Sequence, residues 1–123
     1  MNHRILIVDD ERDTLTAFSR LLRRLVDCTV DVTDTLPGAT QAIDDGDYDV
    51  IVTDLRLTVA TGEEGLDLLR RAKQKTSAAA VIIVTGYGCP AVMTKAYELG
   101  AAYYFEKPVQ PARLIQAVEE LCR

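Results

Sequence analysis

Three short runs along the chain are apolar at every position: Ile5-Leu6-Ile7-Val8, Val50-Ile51-Val52 and Val81-Ile82-Ile83-Val84. Such runs, without polar alternation, predict strands buried on both faces. Thr29-Val30-Asp31-Val32-Thr33 alternates and Tyr103-Tyr104-Phe105 is brief, so these read as strands less completely covered, at the edges of a sheet. Between the strands, apolar positions recur at helical spacing. They are Leu15, Phe18, Leu22 and Leu25; Leu36, Ala39 and Ile43, stopping at Gly46; and Leu66, Leu69 and Ala72, stopping near Lys75 to Ser77. Two more sets follow: Val92, Ala96 and Leu99, closed by Gly100, then Leu114 or Ile115, Val118 and Leu121 after Pro111. Five repeats of strand then helix predict an α/β fold, a doubly wound (βα)5 parallel sheet with right-handed crossovers. Placing the most apolar strands in the middle gives the order 2-1-3-4-5, with its switch point between the first and third strands.

That order gives the polar residues at the strand ends a meaning. The first run leads into Asp9-Asp10, the second into Thr53-Asp54 and the third into Thr85. Open α/β sheets bind ligands at these carboxyl ends. Asp9-Asp10 alone would also suit a helix N-cap or a solvated turn. Joined by Asp54 at the same switch point, the carboxylates repel one another unless a cation offsets them, and a hard divalent ion such as Mg²⁺, or Mn²⁺, suits oxygen donors. Such a site leaves coordination positions for a phosphoryl group. Asp54, alone on the central strand, is the carboxylate placed to act as nucleophile. Lys107 and Thr85 offer a cation and a hydroxyl for the phosphoryl oxygens.

Composition narrows the classes. At 123 residues the chain has the length of one ordinary domain, expected to run over 1–123, and 48% hydrophobic content suffices for a core. No apolar run is long enough to span a bilayer and Met1 to Arg4 carry no signal-peptide pattern, so a cytoplasmic location is expected. A net charge of −5 argues against nucleic acid as a direct ligand. Cys28, Cys89 and Cys122 lack the spacing of a zinc site and read as separate thiols, and His3 is the single histidine, which excludes catalytic triads. Gly86-x-Gly88 invites a phosphate-loop reading, but Ala91 stands where a dinucleotide motif has its third glycine. Arg70, Arg71, Lys73 and Lys75 read as the solvated coat of a helix.

Several of these residues together carry a resemblance. Ile5 to Asp10 followed by Glu11, Asp54 after its apolar strand, Thr85-Gly86, and Gly100-Ala101 leading to Tyr104 and Lys107-Pro108 resemble the CheY-like receiver domain of two-component response regulators. The resemblance runs from Arg4 to Leu121 and implies a flavodoxin-like fold. It also implies a signalling phosphoacceptor that catalyses its own phosphorylation and dephosphorylation rather than an enzyme acting on other substrates. Asp54 would be the phosphoacceptor. Asp10 would hold Mg²⁺ directly, Asp9 largely through water, and the Arg56 carbonyl would be a further ligand. Thr85 and Lys107 would bind the phosphoryl group and Tyr104 would be the switch aromatic, turning inward. The donor would be a sensor histidine kinase or a histidine phosphotransfer protein. The fourth helix, fifth strand and fifth helix would form the surface for an output domain, a downstream protein or a homodimer. The Lys107-Pro108 bond would be cis.

Two departures bear on that picture. Thr58 stands where close relatives carry a proline, and with Gly65-Leu66 opening the third helix the intervening loop is about three residues longer than usual. It borders the acceptor, and therefore kinase fit and access of water. Arg56 and Tyr87, two residues beyond Asp54 and Thr85, are expected to tune the lifetime of the phosphoryl group. Two rival functions compete for the same residues. A phosphohydrolase like the haloacid dehalogenases needs a second aspartate two residues after the nucleophile, where this chain has Arg56. A pseudo-receiver that serves only as a docking surface would not need the intact acidic set.

Overall fold

The computed structural model describes residues 2–57, 62–75, 78–86 and 88–122. Five strands alternate with five helices: β1 (His3–Val8), α1 (Arg12–Leu25), β2 (Cys28–Thr33), α2 (Leu36–Asp45), β3 (Val50–Asp54), α3 (Glu64–Lys75), β4 (Ala80–Thr85), α4 (Pro90–Glu98), β5 (Tyr103–Glu106) and α5 (Pro111–Leu121). All pairings are parallel and the order is β2-β1-β3-β4-β5. The expected topology and its switch point between β1 and β3 are both observed. The strands with unbroken apolar runs are the three central ones, because only they are covered on both faces.

Side chains alternate across the sheet and sort into two cores. Leu6, Val8, Ile51, Val81 and Ile83 point to the side where Ala39 and Ile43 of α2, Leu66 and Leu69 of α3, and Ala96 of α4 pack. Ile5, Ile7, Val50, Val52, Ile82 and Val84 point to the other side, against Leu15 and Leu22 of α1 and Leu114, Ile115 and Val118 of α5. Both Leu114 and Ile115 are buried, so the fifth helix inserts a pair where spacing left a choice. Leu25 departs from expectation. It is 60% exposed, because it ends α1, and Val26, half-buried as the chain turns toward β2, packs against the core in its place.

The helix ends show how local chemistry sets the boundaries. Thr35 accepts a hydrogen bond from the Gly38 N–H at 3.1 Å, with Pro37 in the first turn of α2. At the other end of α2, Lys75 donates to the carbonyls of Ile43 (2.8 Å), Asp44 (3.1 Å) and Gly46, satisfying acceptors that a helix terminus leaves open. Arg71 clamps the Asp44 carboxylate with two hydrogen bonds of 2.7 and 2.6 Å, and Lys73 donates to the Ala79 carbonyl at 2.7 Å. The basic cluster of α3 is therefore not merely a solvated coat. Arg71, Lys73 and Lys75 fasten α3 to the end of α2 and to the residue before β4, while Arg70 pairs with Asp67 of its own helix.

At the opposite end of the sheet from the acidic strand ends, the Tyr48 hydroxyl donates to Asp31 at 2.7 Å beneath the Arg4 guanidinium, which lies 4.9 Å from the ring centroid. Burial, then the bond to Asp31, pushes the phenol up to about 12. A phenol that holds its proton more tightly when folded contributes stability that is complete below the unfolded value near 10 and lost as pH rises through the folded one. Tyr48→Phe is therefore expected to lose about 1.5 kcal/mol near neutral pH. It should also flatten the decline in urea-measured stability between pH 10 and about 12 relative to wild type.

Candidate phosphoryl and metal site

The register of the central strands builds the site. Val8 lies opposite Thr53, so the next residues, Asp9 and Asp54, leave the sheet side by side. Asp54 also pairs with Val84, which puts Thr85 one residue beyond it on the other flank. Oxygens of Asp9, Asp10 and Asp54 all lie within 4.8 Å of one another. Asp9 and Asp54 are 5% and 4% exposed, whereas Asp10 faces solvent. The Lys107 Nζ donates to both buried carboxylates, at 2.9 Å to Asp54 Oδ2 and 3.1 Å to Asp9 Oδ2, and lies 4.0 Å from Glu11. The Lys107 N–H donates to the Thr85 carbonyl at 2.9 Å, fixing the lysine's backbone to the end of β4. The Lys107-Pro108 bond is cis.

Backbone groups hold the two carboxylates in place. Asp9 Oδ1 accepts from the Glu11 N–H at 2.9 Å and Asp54 Oδ1 from the Arg56 N–H at 3.3 Å. Burial raises the Asp54 carboxyl above the ordinary carboxylate range, opposed by Lys107 and reinforced by the neighbouring Asp9. Burial alone would lower the Lys107 ammonium, but its bonds to Asp54 and Asp9 outweigh that and hold it above its usual value. Lys107 thus bonds two of the three converging carboxylates, Asp9 and Asp54, while Asp10 completes the oxygen cluster. This donor set fits a hard divalent ion such as Mg²⁺.

The remaining predicted residues fall around this centre. Thr85 is fully buried at the end of β4, and Arg56 is half-buried just beyond Asp54. Tyr104 is inward, 9% exposed, with its hydroxyl against Gly88 and without a hydrogen-bond partner among the described residues. Burial, and after it the nearby Glu106, raises its phenol above the ordinary value. Tyr87 and the loop residues 58–61, Thr58 among them, lie outside the described residues.

The third helix, α3, opens one residue ahead of its expected Gly65-Leu66 start. It begins at Glu64, two residues before the first periodic leucine. Glu64 is 3% exposed and accepts from the Leu57 N–H at 3.1 Å, while the Gly65 N–H donates to the Leu55 carbonyl at 2.7 Å. A Cβ on Gly65 would strike the Asp54 carbonyl oxygen and come within 2.8 Å of the Leu55 Cα. The signal available was the Glu-Glu-Gly triplet just ahead of the apolar period, an acidic first turn followed by a residue without a side chain.

Comparison with known proteins agrees with this geometry. The family profile described as response regulator receiver domain matches residues 5–119. The chain belongs to that family. As a receiver domain of two-component systems, it is 32% identical over 90 residues to the transcriptional regulatory protein FixJ of Bradyrhizobium diazoefficiens, an alignment covering 73% of this chain and 39% of that protein. It is 34% identical to the sensory transduction protein LytR of Staphylococcus saprophyticus, over 96% of this chain and 45% of the other. The chain therefore spans less than half the length of these relatives. A CheY-like receiver from Methanospirillum hungatei superposes with a TM-score of 0.88 at 27% identity, covering 98% of this chain and 93% of the other. A LuxR-family two-component regulator from an Aurantimonas species gives 0.84 at 31%, covering 99% and 86%. The phosphohydrolase reading is set aside by the family match. Among the described residues, no helix of this receiver is long and apolar enough to cross a membrane.

Proposed function

We propose that this receiver accepts a phosphoryl group on Asp54 from the phosphohistidine of a sensor histidine kinase or histidine phosphotransfer protein, in the cytoplasm. The observation that carries the reading is the Lys107 ammonium held within 3.1 Å of two buried carboxylates from different strands. An Asp54 oxygen attacks phosphorus, the phosphorus–nitrogen bond of the donor breaks, and the released imidazole keeps the bonding pair. Lys107 turns from Asp54 to a phosphoryl oxygen as charge moves outward, and Thr85 donates its hydroxyl to another. Asp9, Asp10, Asp54 and the Arg56 carbonyl would hold Mg²⁺, or Mn²⁺, which supplies positive charge against the carboxylates and the phosphoryl oxygens. Arg56 and Tyr87 tune the lifetime of the product. A groove of about 430 Å³ beside Lys107, lined by Thr14, Phe18, Pro108 and Val109, offers the donor a docking place next to Asp54.

The signal leaves through α4, β5 and α5. Met93 and Tyr97 are exposed apolar residues on α4, 39% and 47% open, available to an output domain, a downstream protein or a second copy. Direct contact with nucleic acid or membrane is not part of this role. A small acyl phosphate with Mg²⁺ is expected to label one site per chain. Labelling should vanish in Asp54→Asn and slow by at least about a hundredfold in a chelator. A wild-type chain that neither labels nor binds Mg²⁺ would leave the docking-only pseudo-receiver as the function.

A further inference from the structure

Gly86-x-Gly88 is the one sequence motif that the site chemistry leaves unused, and its two glycines meet different surroundings. A Cβ on Gly86 would find only the Lys107 Cβ, at 3.9 Å, an ordinary contact. A Cβ on Gly88 would collide with the Tyr104 hydroxyl and lie 2.8 Å from the ring's Cζ and 2.9 Å from the Thr85 Cγ2. The Gly88 backbone lies outside the left-handed region, so an alanine there meets a steric obstacle and no conformational one. Gly88 is the floor on which the Tyr104 hydroxyl rests, shared with Thr85.

The ring is also poised to leave. Its hydroxyl is buried without a partner among the described residues, and outward rotation would return that group to water. Its backbone, by contrast, is anchored: the Tyr104 N–H donates to the Tyr97 hydroxyl of α4 at 3.1 Å. The side chain can therefore swing while the strand stays. We infer that Gly88 is a positioning residue that gives Tyr104 its inward place against Thr85, and that a single methyl at 88 holds the ring outward and disconnects the α4 face from Asp54. This rests on the phosphoacceptor reading for its signalling consequence, but not for the position of the ring.

The two parts are read separately by NMR on protein with labelled tyrosine rings and threonine methyls. Wild type and the Gly86→Ala control should show a cross-relaxation contact between the Tyr104 ring and the Thr85 γ2 methyl. In Gly88→Ala that contact should fall at least about tenfold, corresponding to an outward ring. Acyl-phosphate labelling of Asp54 should stay within about twofold of wild type, while the Tyr97 ring resonances, expected to shift on labelling in wild type, should no longer respond. A Gly88→Ala chain that keeps the ring contact overturns the inference. So does one that fails to fold but is rescued by Tyr104→Ala, because the ring then has no outward position; failure to fold without rescue overturns it as well, since the methyl then meets something other than this ring. Absence of labelling in wild type would sink the phosphoacceptor reading and leave the ring result standing.

Discussion

Lys107→Ala is expected to cost about 3 kcal/mol of folding stability in a chelator at neutral pH, and to regain most of it when Mg²⁺ is added. Lys107 neutralises Asp54 at 2.9 Å and Asp9 at 3.1 Å, both almost wholly buried. Removing one member of a buried ion pair leaves charge that neither water nor protein offsets. The pH dependence has a fixed sign. Burial already holds the Asp54 carboxyl above the ordinary carboxylate range, and losing the ammonium raises it further. A carboxyl whose folded value is raised makes stability fall as pH climbs from the unfolded value through the folded one. The deficit of the variant should thus be largest at neutral pH and shrink on acidification. With its competing cation gone, the same acidic pocket should bind Mg²⁺ about tenfold more tightly. Phosphoryl transfer should nonetheless slow by about a hundredfold, because the donor aimed at the transferring oxygens is missing. Urea titrations with and without Mg²⁺, Mg²⁺ titration of the folded chain and acyl-phosphate labelling read the three effects. Wild-type stability in chelator would mean that Lys107 is a spectator.

The sheet and the acidic centre were legible because both rest on strong local patterns. Unbroken apolar runs mark strands covered on both faces, and a carboxylate at the end of each of two such runs has only one edge of the sheet to occupy. The same rule that orders the strands therefore brings Asp9 and Asp54 together. What helical periodicity missed depends on partners distant in sequence. Leu25 fits the spacing of α1, yet spacing cannot tell where the chain turns away, and the half-buried Val26 packs against the core instead. Arg71 and Lys75 look like surface charges until α2 is brought beside α3, when the carboxylate and carbonyls at its end become their acceptors. Gly88 reads as a loop glycine and Gly65 as part of a helix start because sequence reveals that a side chain is missing, but not what fills the space. Tyr104 fills it in one case and the backbone of Asp54 in the other.

That second case carries the other large effect. Gly65→Ala is expected to destabilise the chain by about 3 kcal/mol and to slow labelling of the molecules that remain folded by about a hundredfold. The added Cβ would strike the carbonyl oxygen of Asp54 itself and crowd the Leu55 Cα at 2.8 Å. These are backbone atoms, with no rotamer by which to yield. Either α3 backs away or the end of β3 is displaced. The first option breaks the 2.7 Å hydrogen bond from the Gly65 N–H to the Leu55 carbonyl and draws Glu64 from the Leu57 N–H. It also disturbs Leu66 and Leu69, which are fully packed and would resist the shift. The second option moves Asp54 relative to Lys107, and a misplacement of about 1 Å in a reacting group can cost two orders of magnitude in rate. Because β3 is held on both sides by β1 and β4 while α3 has one free face, the strain should be shared, and both readouts should move. Denaturation together with labelling per folded molecule separates the options. Lost stability with a wild-type labelling rate would mean that α3 alone gives way, and that the acceptor strand is stiffer than the helix packed across its end.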